Sequence, residues 1–307
     1  MRVAGIQKFG GAVQILEVAD PRPLRDDEVL IEVKAAGVGN WEDIVRAGSW
    51  DVGATPPMAL GVEAAGVVVA VGSGVKTWEA GDEVLTHPLP LADQGAWAPW
   101  LVARAQLLAR KPAGLSWAQA GTFPVPALTA VQVLDEALHL KSGAKLLVNG
   151  AGGVTGGLIV SLAALRGVDV LATAGPASRA QVMEAGAATV VDYHDPDWPR
   201  QILDATDGRG VDAAANAAPG GAATAMRTVH DGGRLATITG DAPEPEREID
   251  VSSVIVRPDA RQLDLASQVL GAGRLEFKVG ARFPLAQADA ALARAIAGGG
   301  GAVVLEL

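Results

Sequence analysis

The chain has 307 residues, 49% of them hydrophobic, and a formal net charge of −10 with a pI near 4.9. That charge opposes a general nucleic-acid or anionic-membrane surface, so a phosphate-bearing ligand has to be captured at a local site. The absence of cysteine excludes disulfides, thiol nucleophiles and every cysteine-bearing zinc site. No apolar run reaches the roughly 18 residues a bilayer crossing needs, and the opening residues lack a signal-peptide core, so a cytoplasmic protein is expected.

From Val3 to about Gly114, short β-type runs are broken by turns: Glu28 to Val33, Gly66 to Val71, Glu83 to Thr86 and Ala98 to Val102. This predicts a mostly β domain. From about Trp117 the rhythm changes to alternating helix and strand, starting with a helix over Ala118 to His139 and a strand over Lys145 to Val148. Helices and strands then continue to alternate as far as a strand over Arg234 to Thr239. Such alternation predicts a doubly wound parallel sheet. After Pro258 come a helix (Ala260 to Gly271), a strand (Val279 to Pro284), a helix (Leu285 to Ala297) and a last strand, Val303 to Leu305. The expected division is 1–116 with 258–307, and 117–257.

Asn149-Gly150-Ala151-Gly152-Gly153-Val154-Thr155-Gly156-Gly157 lies between the strand Lys145 to Val148 and a helix from Leu158. Glycines at 150, 153 and 156 fit a GxxGxxG spacing. It lets backbone amides approach a pyrophosphate while the helix N-terminus supplies partial positive charge. The strand, glycine turn, helix and second strand Val168 to Thr173 form a βαβ unit, so Gly150, Gly152, Gly153, Val154, Thr155 and Gly156 are candidate cofactor contacts. The carboxylate that would grip the ribose hydroxyls of NAD after the second strand is missing. Ser178 and Arg179 stand there instead, donors suited to a 2′-phosphate, which makes NADPH the expected cofactor. A solvated cation at a helix start is the plainer reading of Arg179.

Gly61-Val62-Glu63-Ala64-Ala65-Gly66-Val67-Val68, then Val71-Gly72-Ser73-Gly74-Val75 and Gly81-Asp82-Glu83-Val84, closely resembles the medium-chain dehydrogenase/reductase superfamily. Ala35-Ala36-Gly37-Val38, Leu128-Thr129-Ala130, Asp231-Gly232-Gly233-Arg234-Leu235 and Phe283-Pro284-Leu285 extend the resemblance over almost the whole chain. It implies a GroES-like catalytic domain, a Rossmann-type domain inserted into it and an active site between them. Zinc-dependent members carry a cysteine where this chain has Gly39-Asn40-Trp41 and a histidine where it has Val62, so the chain looks like the zinc-free quinone oxidoreductase branch.

The resemblance further implies that Asn40, Arg46 and Trp50 face the substrate, with the Asn40 amide donating to a substrate oxygen; a turn or helix-capping role is the alternative for Asn40. Thr129 and Tyr193, the single tyrosine, match cofactor-contact positions, and Asn216, Thr239 and Gly240 are expected along the nicotinamide side. His87 is read as a turn histidine before Pro88, with proton relay as the sharper alternative.

Without a metal, hydride has to go to an acceptor that is already electron-poor, a quinone or an α,β-unsaturated carbonyl. A catalytically weak NADPH-binding sensor and a zinc-independent alcohol dehydrogenase are the competing expectations. A homodimer through Ile249 to Val256 as an edge strand is expected from the resemblance, with a strand buried within the same sheet as the alternative reading of that run.

Overall fold

The computed structural model describes residues 1–307, which divide into two compact units, Met1–Leu128 with Arg257–Leu307 and Thr129–Val256. The elements run, in chain order, β1 (Arg2–Ile6), β2 (Gln14–Glu17), β3 (Glu28–Val38), α1 (Trp41–Ala47), β4 (Met58–Ala59), β5 (Ala64–Val71), β6 (Glu83–Thr86), β7 (Trp100–Arg104), β8 (Leu108–Arg110), α2 (Trp117–Thr122) and α3 (Pro124–Gln132). Then follow β9 (Lys145–Asn149), α4 (Val154–Leu165), β10 (Asp169–Thr173), α5 (Arg179–Glu184), β11 (Thr189–Val191), α6 (Trp198–Asp204), β12 (Val211–Asn216), α7 (Ala222–Met226), β13 (Val229–Thr237) and β14 (Asp250–Ser253). The chain ends with α8 (Ala260–Gly271), β15 (Val279–Pro284), α9 (Ala288–Ala297) and β16 (Ala302–Glu306).

In the first unit, β2-β1-β4 form a small antiparallel sheet and β15-β16-β3-β5-β6-β8 a larger one. β3 is longer than its first apolar run suggests, because Ala35-Ala36-Gly37-Val38 continues it. Its first half pairs with β7 and its last four residues with β16, so the returning C-terminal segment completes this sheet. The short α2 starts with a reciprocal cap between Ser116 and Gln119 and lies on β3. A Cβ on Gly121 would stand 2.6 Å from the Ala35 carbonyl, so only glycine permits that approach.

The single helix expected over 118–139 is three pieces. Phe123 interrupts α2 and α3 because Pro124 has no amide to donate, and its ring packs edge-on against Phe277 at 5.2 Å. A π-helical turn then covers Val133–Ala137. Consequently residues 117–128 pack with the first unit. In the second unit α7 stops at Met226 and Val229 already opens β13.

The second unit is a six-stranded parallel sheet, β11-β10-β9-β12-β13-β14. Leu146, Leu147 and Val148 of its central strand are wholly buried, as expected of a strand covered on both faces. The chain leaves β9 toward β10 and β11, then returns to add β12, β13 and β14 on the other side. The edge between β9 and β12 is therefore a topological switch point. β14 is the edge strand and is shorter than the eight-residue run expected; Ile255 beyond it is 74% exposed.

Two carboxyl groups lie deep in the first unit. Burial pushes Glu42 up to about 7 against the opposing bonds from the amides of Gly61 and Val62. Burial also raises Glu63 well above the usual carboxylate range, opposed by the Val125 amide at 2.7 Å and reinforced by the Glu42 charge. The folded state thus holds protons that the unfolded chain releases near its ordinary pKa of about 4.5. Their stabilisation is full below that value and is lost as pH rises through the folded pKa. We expect the melting temperature to fall between pH about 5 and about 8, less steeply below about 6.5, where buried His87, lowered to about 4, contributes in the opposite sense. The Glu63→Gln variant, which mimics the protonated acid, should have a flatter profile; an unchanged slope in that variant would exclude Glu63 as its source.

Candidate functional site

The glycine turn follows β9. Gly150 has φ +86°, and a Cβ there would stand 2.9 Å from the backbone of Ala217 and Ala218. A Cβ on Gly156 would lie 2.2 Å from the Gly150 carbonyl, so this glycine lets α4 sit directly on the turn. One on Gly152 would reach the Ser178 hydroxyl at 2.4 Å. Protein sterics therefore demand glycine at 150 and 156, while at 152 only the Ser178 side chain stands in the way.

Gly153 differs. A Cβ there would find only the Gly150 carbonyl, at 3.5 Å. It is also the N-cap of α4 and has no side chain to satisfy the first amides of that helix, including those of Val154 and Thr155. The result is a cradle of unsatisfied amides, held by glycines, at the positive end of a twelve-residue helix. We expect Gly156→Ala to cost about 1–3 kcal/mol through displacement of α4, and Gly153→Ala to stay within about 0.5 kcal/mol of the parent. Chemical denaturation measures both, and equal losses would contradict the steric assignment.

Ser178 and Arg179 open α5, after β10. The Ser178 side chain does not cap the helix; its hydroxyl donates to the Gly175 carbonyl at 3.3 Å and abuts Gly152. One guanidinium nitrogen of Arg179 donates to the Val190 carbonyl at 2.6 Å, which lays the side chain across the end of β11. Tyr193 is 53% exposed and its ring lies 4.1 Å from that of His194. A Cβ on Gly175 would be 3.2 Å from both rings, so the aromatic pair covers the turn before α5. The residues expected around an adenosine phosphate thus share one corner of the sheet. The sequence reading left His194 out of this corner; its Nδ1 stands 2.7 Å from Asp192.

At the opposite corner, Asn216 is 1% exposed. Its Oδ1 accepts from Asn149 Nδ2 at 2.8 Å, and its own Nδ2 donates toward Thr237 and Thr239. The side chain is absorbed in a strand-end network rather than presented to a ligand. Thr239 and Gly240 follow β13, with Gly240 at φ +72°. Asn149, Thr173 and Asp241, which belong to the same network, went unnoticed in the sequence. Asn149 stands directly before the glycine turn, and that position was the available signal. Nothing marks out Asp241, a carboxylate in an acidic loop.

In the first unit, Asn40 is exposed at the N-cap position of α1 yet makes no capping hydrogen bond, so its amide is not spent on the backbone. Arg46 is spent. Its Nε pairs with Asp43 at 2.7 Å and its Nη1 donates to the carbonyls of Gly11 and Gly10, which ties the β1–β2 loop to α1. Trp50 is partly buried with its ring 6.3 Å from that of His87.

His87 is 1% exposed, not a surface turn residue. Burial lowers its pKa to about 4 against the opposing bond to the Val62 carbonyl at 2.6 Å. A carbonyl only accepts, so Nδ1 carries the proton and Nε2, which has no protein partner, is a bare acceptor at neutral pH. Thr129 lies buried on α3.

No three histidine, cysteine or acidic side chains are gathered in a way that could hold a metal. Val62 has no donor atom in its side chain, and Glu63 is bonded to the Val125 amide, so the residues present do not fit a zinc centre. No helix is long and apolar enough to cross a membrane.

A GroES-like β unit joined to a Rossmann-type parallel sheet with an amide cradle at its switch point defines the dehydrogenase-like class of two-unit α/β folds. The alcohol dehydrogenase GroES-like domain family matches residues 25–115 and the zinc-binding dehydrogenase family residues 185–300. Erythronolide synthase EryA2 of Saccharopolyspora erythraea is 38% identical over 65% of the chain, though that match spans only 5% of the synthase. The quinone oxidoreductase of Pongo abelii is 29% identical over 69% of the chain and 64% of its own length. A mycobacterial protein solved in complex with NADPH superposes over the full length of both chains with a TM-score of 0.86 at 25% identity. The chain belongs to the medium-chain dehydrogenase/reductase superfamily.

Proposed function

We propose that the protein is an NADPH-dependent oxidoreductase that transfers hydride to a quinone or an α,β-unsaturated carbonyl without a metal. The observation that carries this reading is the amide cradle at Gly153, with Ser178, Arg179 and Tyr193 gathered one strand away, where a 2′-phosphate would be received. The NADPH-bound structural relative and the quinone oxidoreductase relative support it. When bound, NADPH supplies the hydride. The amides of Gly152, Val154 and Thr155 hold its pyrophosphate, Gly150, Gly153 and Gly156 clear its approach with their own lack of side chains, and Thr129, Thr239 and Gly240 position its other half. Asn216 acts through its hydrogen bond to Thr239 rather than by direct contact.

On the substrate side, Asn40 offers the uncommitted donor for an oxygen that gains charge, and Trp50 supplies a flat apolar wall. Arg46 acts indirectly, by fixing the loop at Gly10 and Gly11. His87 is neutral at pH 7 with its one proton engaged on Val62, so it does not deliver the proton that completes reduction. Solvent takes that part, which suits an acceptor whose reduced anion is stable enough to leave. Pairing of two chains along the β14 edge is part of the same proposal.

Arg179→Ala should raise the dissociation constant for NADPH by roughly 10–100-fold while changing that for NADH little, the size expected for a lost charge-assisted hydrogen bond. Equal effects on both would remove the 2′-phosphate assignment. Activity is tested by following NADPH absorbance with a simple quinone and a simple enone side by side. Turnover with either supports the reading and its faster member names the acceptor class. NADPH binding with no consumption across both classes would replace it with a cofactor-binding protein.

A further inference from the structure

A continuous hydrogen-bond seam crosses the carboxyl ends of four strands in the second unit. The Gly150 amide donates to Thr173 Oγ1 at 3.0 Å, and the Thr173 hydroxyl donates to Asn149 Oδ1 at 2.7 Å. Asn149 Nδ2 donates to Asn216 Oδ1 at 2.8 Å, and Asn216 Nδ2 donates to the hydroxyls of Thr237 and Thr239 at 3.1 and 3.0 Å. Both hydroxyls donate to Asp241 Oδ1, each at 2.6 Å, while Asp241 Oδ2 accepts from the Ala222 amide at 3.2 Å. From the Gly150 amide through the side chains, each donor points toward Asp241, where the Ala222 amide also donates, so each bond polarises the next and the carboxylate is the sink.

The place of that sink follows from sheet order. β10 and β11 flank β9 on one side, β12 and β13 on the other. A dinucleotide with its phosphates on the turn after β9 and its 2′-phosphate at Arg179, after β10, extends its other half over β12 and β13. Asp241 stands in the loop leaving β13, partly exposed. Partial burial works against its ionisation, but the Thr237 and Thr239 hydroxyls and the Ala222 amide outweigh it and hold the carboxyl below its usual range, so it is charged at neutral pH.

We propose that Asp241 sets the redox preference of the nucleotide site, favouring the oxidised, cationic nicotinamide over the reduced, neutral one, with the seam holding its carboxylate in place. This rests on the cofactor reading above. A carboxylate in a protein otherwise expected to bind a polyanion opposes both forms of the cofactor equally through their phosphates. The two forms differ by one positive charge on the ring, and only this difference is read by a fixed negative charge at the nicotinamide end. Asp241 thereby adds to the driving force for hydride donation, because it is paired with the charge that appears as hydride leaves. The same pairing slows departure of the spent cofactor.

The test is calorimetric titration of NADPH and NADP+ into the wild-type protein, Asp241→Asn and Thr239→Val. Wild-type protein should bind NADP+ more tightly than NADPH; the opposite order overturns the inference without any variant. Asp241→Asn, which keeps an acceptor for both threonine hydroxyls, should weaken NADP+ on the order of tenfold more than NADPH. Thr239→Val removes one donor and keeps the charge, so its ratio of the two constants should stay within about twofold of wild type. Parallel losses for both forms in Asp241→Asn, or the same change of ratio in Thr239→Val, would show a structural tie and overturn the assignment. Wild-type protein that binds neither form overturns the cofactor reading itself, and this inference with it.

Discussion

The nucleotide unit depends on one close approach, that of Gly156 in α4 to the carbonyl of Gly150. Without a side chain at 156 the helix can seat its first turn on the end of β9, and only then do its free amides converge above the switch point between β9 and β12. Gly150, at φ +86°, turns the strand into that position, and Gly152 clears the Ser178 hydroxyl. A methyl group at 156 would move the helix and disperse the amides, and one at 150 would meet the Ala217 and Ala218 backbone. The glycine run is therefore first a packing device and, because of that packing, an anion cradle.

Around the cradle, polar side chains are used in two different ways. Thr173, Asn149, Asn216 and Thr237 are buried and bonded mainly to one another, so they spend their capacity on fixing strand ends. Tyr193 and Arg179 remain on the surface with capacity to spare. In a chain of net charge −10 this segregation matters. Anion binding cannot draw on the mean field of the protein, only on amides and a few cations placed within one or two bonds of the ligand.

The helix–strand alternation and the glycine turn were legible because their causes are local: apolar periodicity, and glycine where no Cβ fits. The extension of β3 through Val38 and the break of the long helix at Phe123 were less so. The first depends on β16 arriving from the far end of the chain, and the second on a proline whose effect competes with strong apolar helix character on both sides. At the site, residue types were readable but not their allegiance. Arg46 and Asn216 look like ligand-binding side chains in sequence, yet Arg46 is claimed by the Gly10 and Gly11 carbonyls and Asn216 by its neighbours at the strand ends. Asp241 carries no signal until the loop after β13 is folded back onto Thr237.

The first unit shows what a family architecture does when metal ligands are absent. Val62 stands where the family resemblance places a ligand histidine; its amide donates to Glu42 and its carbonyl accepts from His87. These bonds fix the backbone on both sides of Val62, and burial raises Glu42 while lowering His87, so each is shifted toward its neutral form. With His87 neutral and Glu42 only partly ionised at neutral pH, this wall carries no cation to polarise a carbonyl as a Lewis acid does or to stabilise an alkoxide, in keeping with the proposed preference for an activated acceptor. Under the function proposed above, it suits a molecule whose own conjugation spreads the incoming charge, with Asn40 and Trp50 as the residues proposed to face it.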